Sequence, residues 1–366
     1  MVGAADRDRR LRPDHRQGSA GDGRPLMTVL VTGGAGYIGS HTVRALCAAG
    51  IPAVVLDDLS TGCASLLPPG VPLIEGNIRQ RDLVAETLGT HDVDSVIHFA
   101  ASIVVPDSVE RPLDYYNNNV ANSLRLIEAC VAHGVRHFVF SSSAAVYGQP
   151  SIVPVREDTP AVPVNPYGTT KLMIEWALRD TAAAHDLRYA ALRYFNVAGA
   201  DPSGQAGQMS RTSTHLIKTA CEAALGLRSE IAIYGTDYPT PDGTCIRDYI
   251  HVSDLADIHV LALRRLQAGG GSFVANCGYG RGYSVREVLS AVERIHGRRL
   301  NVREAPRRPG DPPMLVADTD RLARLLAWRP RNGGIDDIVG TALAWEQRVA
   351  RLGVSLAAGR STAAVV

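Results

Sequence analysis

Tyr167 and Lys171 stand four residues apart in the segment NPYGTTK. Residues at i and i+4 share one face of a helix, so the Lys171 ammonium can lie against the Tyr167 phenol and favour its phenolate. A tyrosine ordinarily titrates at about 10, and a neighbouring positive charge lowers that toward a useful general base. The chain holds two lysines, Lys171 and Lys218, against thirty-six arginines. Lysine is therefore not its generic surface cation. The plainer reading is a tyrosine packed at a helix start beside a solvated lysine, and what precedes the pair decides between the two. Ser141, Ser142 and Ser143 close an apolar run, and Ser143 lies twenty-four residues before Tyr167. A hydroxyl there can bond a substrate oxygen that is being deprotonated and relay its proton. Capping of strand-end backbone groups is the alternative for each serine. Two of the three are expected to cap, and the sequence does not say which one is chemical.

The elements that must position these groups begin at TVLVTG (28–33). After it, Gly33, Gly36 and Gly39 form GxxGxxG, and an amphipathic helix runs to a stop at Gly50. Those glycines suit a tight turn, close approach of backbone to a pyrophosphate, and close helix–strand packing. The next strand, AVVLDD, carries Asp57 eighteen residues past Gly39, where an acidic residue would meet an adenosine ribose. Its carboxylate can accept from a ribose diol and would repel a 2′-phosphate, which favours NAD over NADP. Further alternations follow: VPLIEGN, a polar helix over 80–89, SVIHFA, a helix across 119–133, HFVFSSS (137–143), the helix of Tyr167 and Lys171, and RYAALRYFN. Buried strands separated by helices predict an α/β, Rossmann-type parallel sheet with helices on both faces.

After residue 197 the rhythm changes. A polar loop, a helix over 213–226, a strand pair within EIAIYGTDYPTPDGTCIRDYIHV, FVANCG, a helix over 284–296 and a helix pair over 319–351 predict a smaller mixed α/β lobe. SDLADIHVLALRRL reads as a helix capped by Ser253 that returns to pack on the first domain. The expected divisions are a disordered extension over 1–26, a dinucleotide domain over 27–197 with returning segments at about 247–267, a substrate lobe over 198–350, and a frayed tail over 351–366. Met27 reads as the functional start. Substrate is expected in the cleft between the lobe and the carboxyl ends of the strands.

At 366 residues with a formal charge of +1, 45% hydrophobic residues and mean hydropathy −0.02, the composition is that of a soluble globular protein. It offers no argument for nucleic acid or membrane, and no apolar segment is long enough to cross a bilayer. The six cysteines, at 47, 63, 130, 221, 245 and 277, never form CxxC. Reduced structural thiols in a cytoplasmic protein are the expectation, with no metal site.

Taken together, GGAGYIGSH, HFAA, SSSAAVYG, NPYGTTKLMIE, LRYFNVAG and RDYIHVSDLA resemble the extended short-chain dehydrogenase/reductase superfamily. Within it the chain is most similar to the UDP-hexose 4-epimerases, from Met27 to about residue 350. The resemblance implies a homodimer with a tightly held NAD that stays bound through turnover. It implies Tyr167, Lys171 and Ser143 as the catalytic groups. It places Tyr37 and Ile38 at the pyrophosphate turn, Asp57 at the ribose, Asn77 and Ile78 beside the adenine, and Phe99, Ala100, Asn119, Lys171 and Tyr194 along the cofactor. Asn196, Leu216, Tyr234, Arg247, Arg308, Asp311 and Leu315 are implied around the UDP-sugar. Two guanidiniums, at Arg247 and Arg308, also suit a diphosphate on chemical grounds.

The chain departs at several points from the pattern of the family it resembles. Asn77 stands where an aspartate is frequent, so a contact to the adenine amino group would pass through an amide. Ile103 replaces a lysine near the cofactor phosphates, and Ala145 replaces a threonine. His215 falls near the diphosphate. Leu315 stands where plain-hexose enzymes carry a tyrosine, so weaker conversion of N-acetylhexosamines beside the UDP-glucose/UDP-galactose pair is expected. Three rivals are a UDP-pentose or UDP-N-acetylhexosamine 4-epimerase, a nucleotide-sugar 4,6-dehydratase, and an NAD-sensing module without activity. A dehydratase needs an acid and a base after the serine, where this chain has Ala144 and Ala145.

Overall fold

The computed structural model describes residues 28–210, 213–308, 310–351 and 353. The expectations for residues 1–26, for Met27, and for all of 351–366 but Arg351 and Gly353, lie outside the described residues. The first half alternates as its apolar runs dictate. Its strands are β1 (Thr28–Thr32), β2 (Ala53–Asp57), β3 (Leu73–Glu75), β4 (Val93–His98), β5 (His137–Ser143) and β6 (Arg188–Tyr194). Between them lie α1 (Tyr37–Ala48), α2 (Arg81–Thr90), the short α3 (Val105–Glu110) and α4 (Pro112–Tyr115), α5 (Asn122–Ala132) and α6 (Pro166–Ala184). The continuous helix expected across 119–133 is instead a π-helical turn over Tyr116–Ala121 leading into α5. Single π-helical turns recur at functional sites, and this one carries the buried Asn119.

The later elements are β7 (Asn196–Ala198), α7 (Leu216–Ala224), β8 (Ile231–Tyr234), β9 (Ile246–His251), α8 (Val252–Gln267) and β10 (Phe273–Cys277). They continue with β11 (Gly282–Ser284), α9 (Val285–His296), β12 (Val302–Ala305), β13 (Met314–Leu315), α10 (Asp320–Leu326) and α11 (Ile335–Arg351). The large sheet runs β10-β6-β5-β4-β1-β2-β3 and every pair in it is parallel. Side chains alternate across it, as strand geometry requires. Val29, Val31 and Val55 meet Val43 and Leu46 of α1 and Leu255, Ile258 and Leu263 of α8 on one face. Leu30, Val54 and Leu56 share the other face with Leu126, Ile127, Ile174 and Leu178 of α5 and α6. Each such fully buried side chain contributes about 1.5–3 kcal/mol, which fixes α1 and α6 against the strand ends that carry the chemistry.

Three local expectations are corrected. FVANC, expected in the smaller lobe, is β10 and pairs with β6. It reaches that edge by the crossover through α8, the usual way to add a parallel strand. The anticipated strand pair within EIAIYGTDYPTPDGTCIRDYIHV separates into two sheets, since β8 pairs with β12 while β9 pairs with β7, β11 and β13. Helix α8 is capped by His251, not Ser253. The His251 Nδ1 accepts from the Ser253 backbone N–H at 3.1 Å.

The smaller sheets close over a core of Ile217, Ile231, Ile233, Val288, Leu289, Ile338, Val339 and Leu343. Beside it Lys218 is buried, donating to Glu346 at 2.6 Å and lying 3.2 Å from Glu222. Both lysines of the chain are thus interior groups with assigned partners.

Candidate active site

Helix α6 begins where it does because Asn165 caps it, its Oδ1 accepting from the Gly168 N–H at 2.8 Å, with Pro166 as the first helical residue. That start puts Tyr167 and Lys171, both buried, on the stripe facing the end of β5. The three serines then separate by role. Ser141 Oγ pairs with the Tyr194 hydroxyl, and Ser142 Oγ donates to Glu175 at 2.5 Å. Ser143 shares a side-chain hydrogen bond with Tyr167 and accepts the Ala145 N–H at 3.1 Å. Of the three, Ser143 is the one that faces the phenol. The Lys171 Nζ donates to the Ser141 carbonyl at 2.9 Å and sits 5.8 Å from the centre of the Tyr167 ring.

The expected electrostatics are corrected by burial. Removal from water pushes the Tyr167 phenol up to about 12, against the pull of the Ser143 hydrogen bond. The same burial draws Lys171 down to about 7. The charged forms of both groups are disfavoured, so Lys171, not Tyr167, is the member of the pair that sheds a proton near neutrality. Beneath them His98 joins Thr32 (2.7 Å) to Ser123 (2.8 Å), and burial holds this imidazole neutral at about 3.

Two strand ends meet at the point where the strand order reverses, between β1 and β4. Gly33 has φ +70°, and a Cβ there would lie 2.7 Å from the Ala100 backbone N. A Cβ on Gly39 would lie 2.2 Å from the Gly33 carbonyl oxygen, so glycine alone allows α1 this close. Gly36 is different. Its Cβ would approach only Gly33 O, at 3.1 Å, leaving that side open. Helix α1 has no side-chain cap and no acidic residue in its first turn, so its leading N–H groups and dipole are available to an anion. Asp57 seals the loop, accepting from the N–H groups of Ala35 and Leu59 at 2.9 Å each, and burial raises its carboxyl above the usual range. These features suit the pyrophosphate and ribose of a dinucleotide.

Of the remaining cofactor candidates, Asn77 and Ile78 follow β3, Phe99 and Ala100 follow β4, Tyr194 ends β6, and Asn119 sits in the π-helical turn. Phe99 lies 4.8 Å from the His259 ring, which also neighbours Tyr194. Asn119 is held by Ser102 and Thr170, its Oδ1 accepting the Ser102 N–H at 2.8 Å. Ile78 is buried, and Ile38 packs on the α1 core. The Tyr37 hydroxyl donates to Gly199 O at 2.6 Å, tying the glycine turn to the second lobe. Asn77 donates its amide to Asp58 at 2.7 Å and accepts from the Arg79 N–H. That amide, expected beside the adenine, is engaged with Asp58. Ile103 is exposed.

The substrate candidates form two groups. Arg247 on β9 donates to Asp311 at 3.3 Å, and Leu315 of β13 stands in register beside it. Leu315 also packs into a cluster with Ala144, Val146 and Phe195, directly after Ser143. The Arg308 guanidinium lies 3.9 Å from the centre of the Tyr234 ring. The two arginines expected to act together therefore hold separate partners in this arrangement. Asn196 is exposed at the start of β7. Leu216 opens α7, and the preceding His215 is bonded to Gln208 at 3.0 Å. The sequence reading missed Glu175, although its place one turn beyond Lys171 was the available signal.

A sequence profile described as the NAD dependent epimerase/dehydratase family matches residues 29–278. The chain is 60% identical over 319 residues to a UDP-glucose 4-epimerase of Azospirillum brasilense, covering 87% of this chain and 92% of that one. Its fold is similar to a crystal structure of UDP-glucose 4-epimerase from Brucella ovis in complex with NAD, with TM-score 0.85 and 46% identity over 87% of this chain and 98% of that one. It is similar as well to the UDP-Glc/GlcNAc 4-epimerase of Campylobacter jejuni, with TM-score 0.78 and 42% identity over 88% of this chain and 99% of that one.

Proposed function

The chain belongs to the NAD dependent epimerase/dehydratase family, and we infer that it interconverts UDP-glucose and UDP-galactose by reversible epimerisation at C4. The observation that carries this reading is the meeting of Tyr167, Ser143 and Lys171 beside the glycine-rich cradle, with Ala144 and Ala145 where a dehydratase needs its acid and base. The glycine turn, the start of α1 and Asp57 would hold NAD, which would supply a reversible hydride acceptor for C4 of the sugar. Tyr167 removes the proton of the 4-hydroxyl, and Ser143 orients that oxygen. Lys171 shares one proton with Tyr167 near neutrality, so that the phenolate forms together with the ammonium. The planar 4-keto sugar turns within the pocket while Arg247, Arg308 and Tyr234 keep hold of its UDP, so remote binding energy supplies the orientation that the loosely held sugar lacks. Incubation of the purified protein with UDP-galactose should yield UDP-glucose. A 4-keto-6-deoxy sugar would show elimination in its place.

Asp57 determines the cofactor. Its buried carboxylate would repel the extra phosphate of NADP, so denaturing the purified protein should release NAD. Recovery of mostly NADP would show that Asp57 lies elsewhere in the complex.

Leu315 sets the substrate range. It packs beside Ala144 and Val146, and because it is smaller than the tyrosine that the family resemblance implies for plain-hexose enzymes, a 2-acetamido group would enter without forcing a packed wall apart. Its apolar surface offers that group no hydrogen bond. The expected result is measurable but weaker conversion of UDP-N-acetylgalactosamine. Leu315→Tyr should lower its kcat/KM by about tenfold or more while sparing UDP-galactose; parallel losses on both substrates would make Leu315 merely structural.

Helices α3, α4, α5 and α6 expose Val109, Leu113, Leu124 and Trp176. We assign the homodimer contact to this apolar face. The six free cysteines suit a cytoplasmic enzyme. No helix among the described residues is long and apolar enough to cross a membrane.

A further inference from the structure

We propose that Glu175, clamped by Arg193, is the positioning residue that holds the catalytic helix in register with the serine strand. Glu175 is buried on α6, one turn beyond Lys171 and two beyond Tyr167. Its Oε1 accepts from Ser142 Oγ at 2.5 Å and from Arg193 Nε at 2.9 Å, and its Oε2 accepts from Arg193 Nη2 at 2.5 Å. One helical stripe therefore engages three consecutive residues of β5: Tyr167 with the Ser143 hydroxyl, Lys171 with the Ser141 carbonyl, and Glu175 with the Ser142 hydroxyl. A helix fastened at three points along a strand can neither slide nor rotate about its axis without breaking a charged contact.

The clamp extends beyond the helix. Arg193 Nη1 donates to the Tyr147 hydroxyl at 2.9 Å, and Tyr147 donates to Asn276 Oδ1 at 2.7 Å. Asn276 donates to Val155 O at 2.8 Å, and the Val155 N–H donates to Val316 O at 2.8 Å, one residue from Leu315. A continuous hydrogen-bonded path thus joins the helix of the base to the strand beside the sugar pocket. A buried ion pair is a weak source of net stability compared with apolar packing of the same volume. What a bidentate fork supplies is geometry, and a misplacement of about 1 Å at a reacting group can cost about 100-fold in rate.

This inference rests on Tyr167 and Lys171 being the catalytic pair, so Tyr167→Phe is measured in parallel. Glu175→Gln keeps the shape and one acceptor but loses the charge facing Arg193. In NAD-loaded protein it should lower kcat by about 10- to 100-fold with KM for UDP-galactose unchanged. Amide exchange should accelerate selectively over residues 167–171. Wild-type kcat would overturn the proposal, whether exchange is unchanged or rises uniformly across the large sheet, the latter marking a role in stability alone. Should Glu175→Gln fail to fold, Ser142→Ala decides, because it leaves the charge pair whole. It should lower kcat by about three- to tenfold, and wild-type kcat would again overturn the proposal. An active Tyr167→Phe would instead refute the catalytic assignment itself.

Discussion

Tyr167→Phe should lower kcat by about 1,000-fold or more while leaving NAD content and fold near those of the wild type. The ring fills a buried site and the substitution removes only its hydroxyl, so packing is conserved. What disappears is the proton acceptor that faces Ser143. Ser143 and the residues proposed to hold UDP would still bind and orient the substrate, so KM should change little. The check is a conversion assay with UDP-galactose beside spectroscopic measurement of bound dinucleotide. Full activity in the variant would remove Tyr167 from the reaction.

Lys171→Met carries the second large effect, and its sign follows from the two burial shifts. Lys171 loses its proton as pH rises through about 7, whereas the phenol alone holds its proton to about 12. Between those limits the pair carries one proton fewer than its full complement. A neutral phenol with an amine, and a phenolate with an ammonium, have the same proton count, so they are two arrangements of one titration state. The wild-type rate should therefore rise with pH through a single step near 7 and then level. Methionine leaves only the phenol to titrate, which moves the step out of the accessible range. At neutral pH the loss should reach about 1,000-fold, and the Ser141 carbonyl loses its interior donor. A variant whose pH profile kept the wild-type step would show that the step belongs to another group.

Much of this site is legible in the residues themselves. The glycine turn, the alternation of β1 to β6 and the Tyr167–Lys171 spacing follow from periodicity and from what only glycine allows. The direction of the Tyr167 shift does not. It depends on how thoroughly α6 covers the pair, and burial is a tertiary quantity. Glu175 and Arg193 sit in NPYGTTKLMIE and LRYFN as ordinary charged residues, and only the fold reveals that they face each other. Phe273–Cys277 is a short apolar run in a region of mixed elements, and its assignment to the large sheet depends on where α8 delivers the chain. Asn77 also bonds Asp58, a partner nineteen residues away that its motif does not disclose.

In the proposed reaction the hydride leaves and re-enters the same sugar carbon within one closed site. UDP-galactose carrying deuterium at C4, turned over by the purified protein in ordinary water, tests it most directly. The UDP-glucose formed should retain the deuterium at C4, with none released to solvent. Product that has lost the label to water, or no product from NAD-loaded protein, would contradict it.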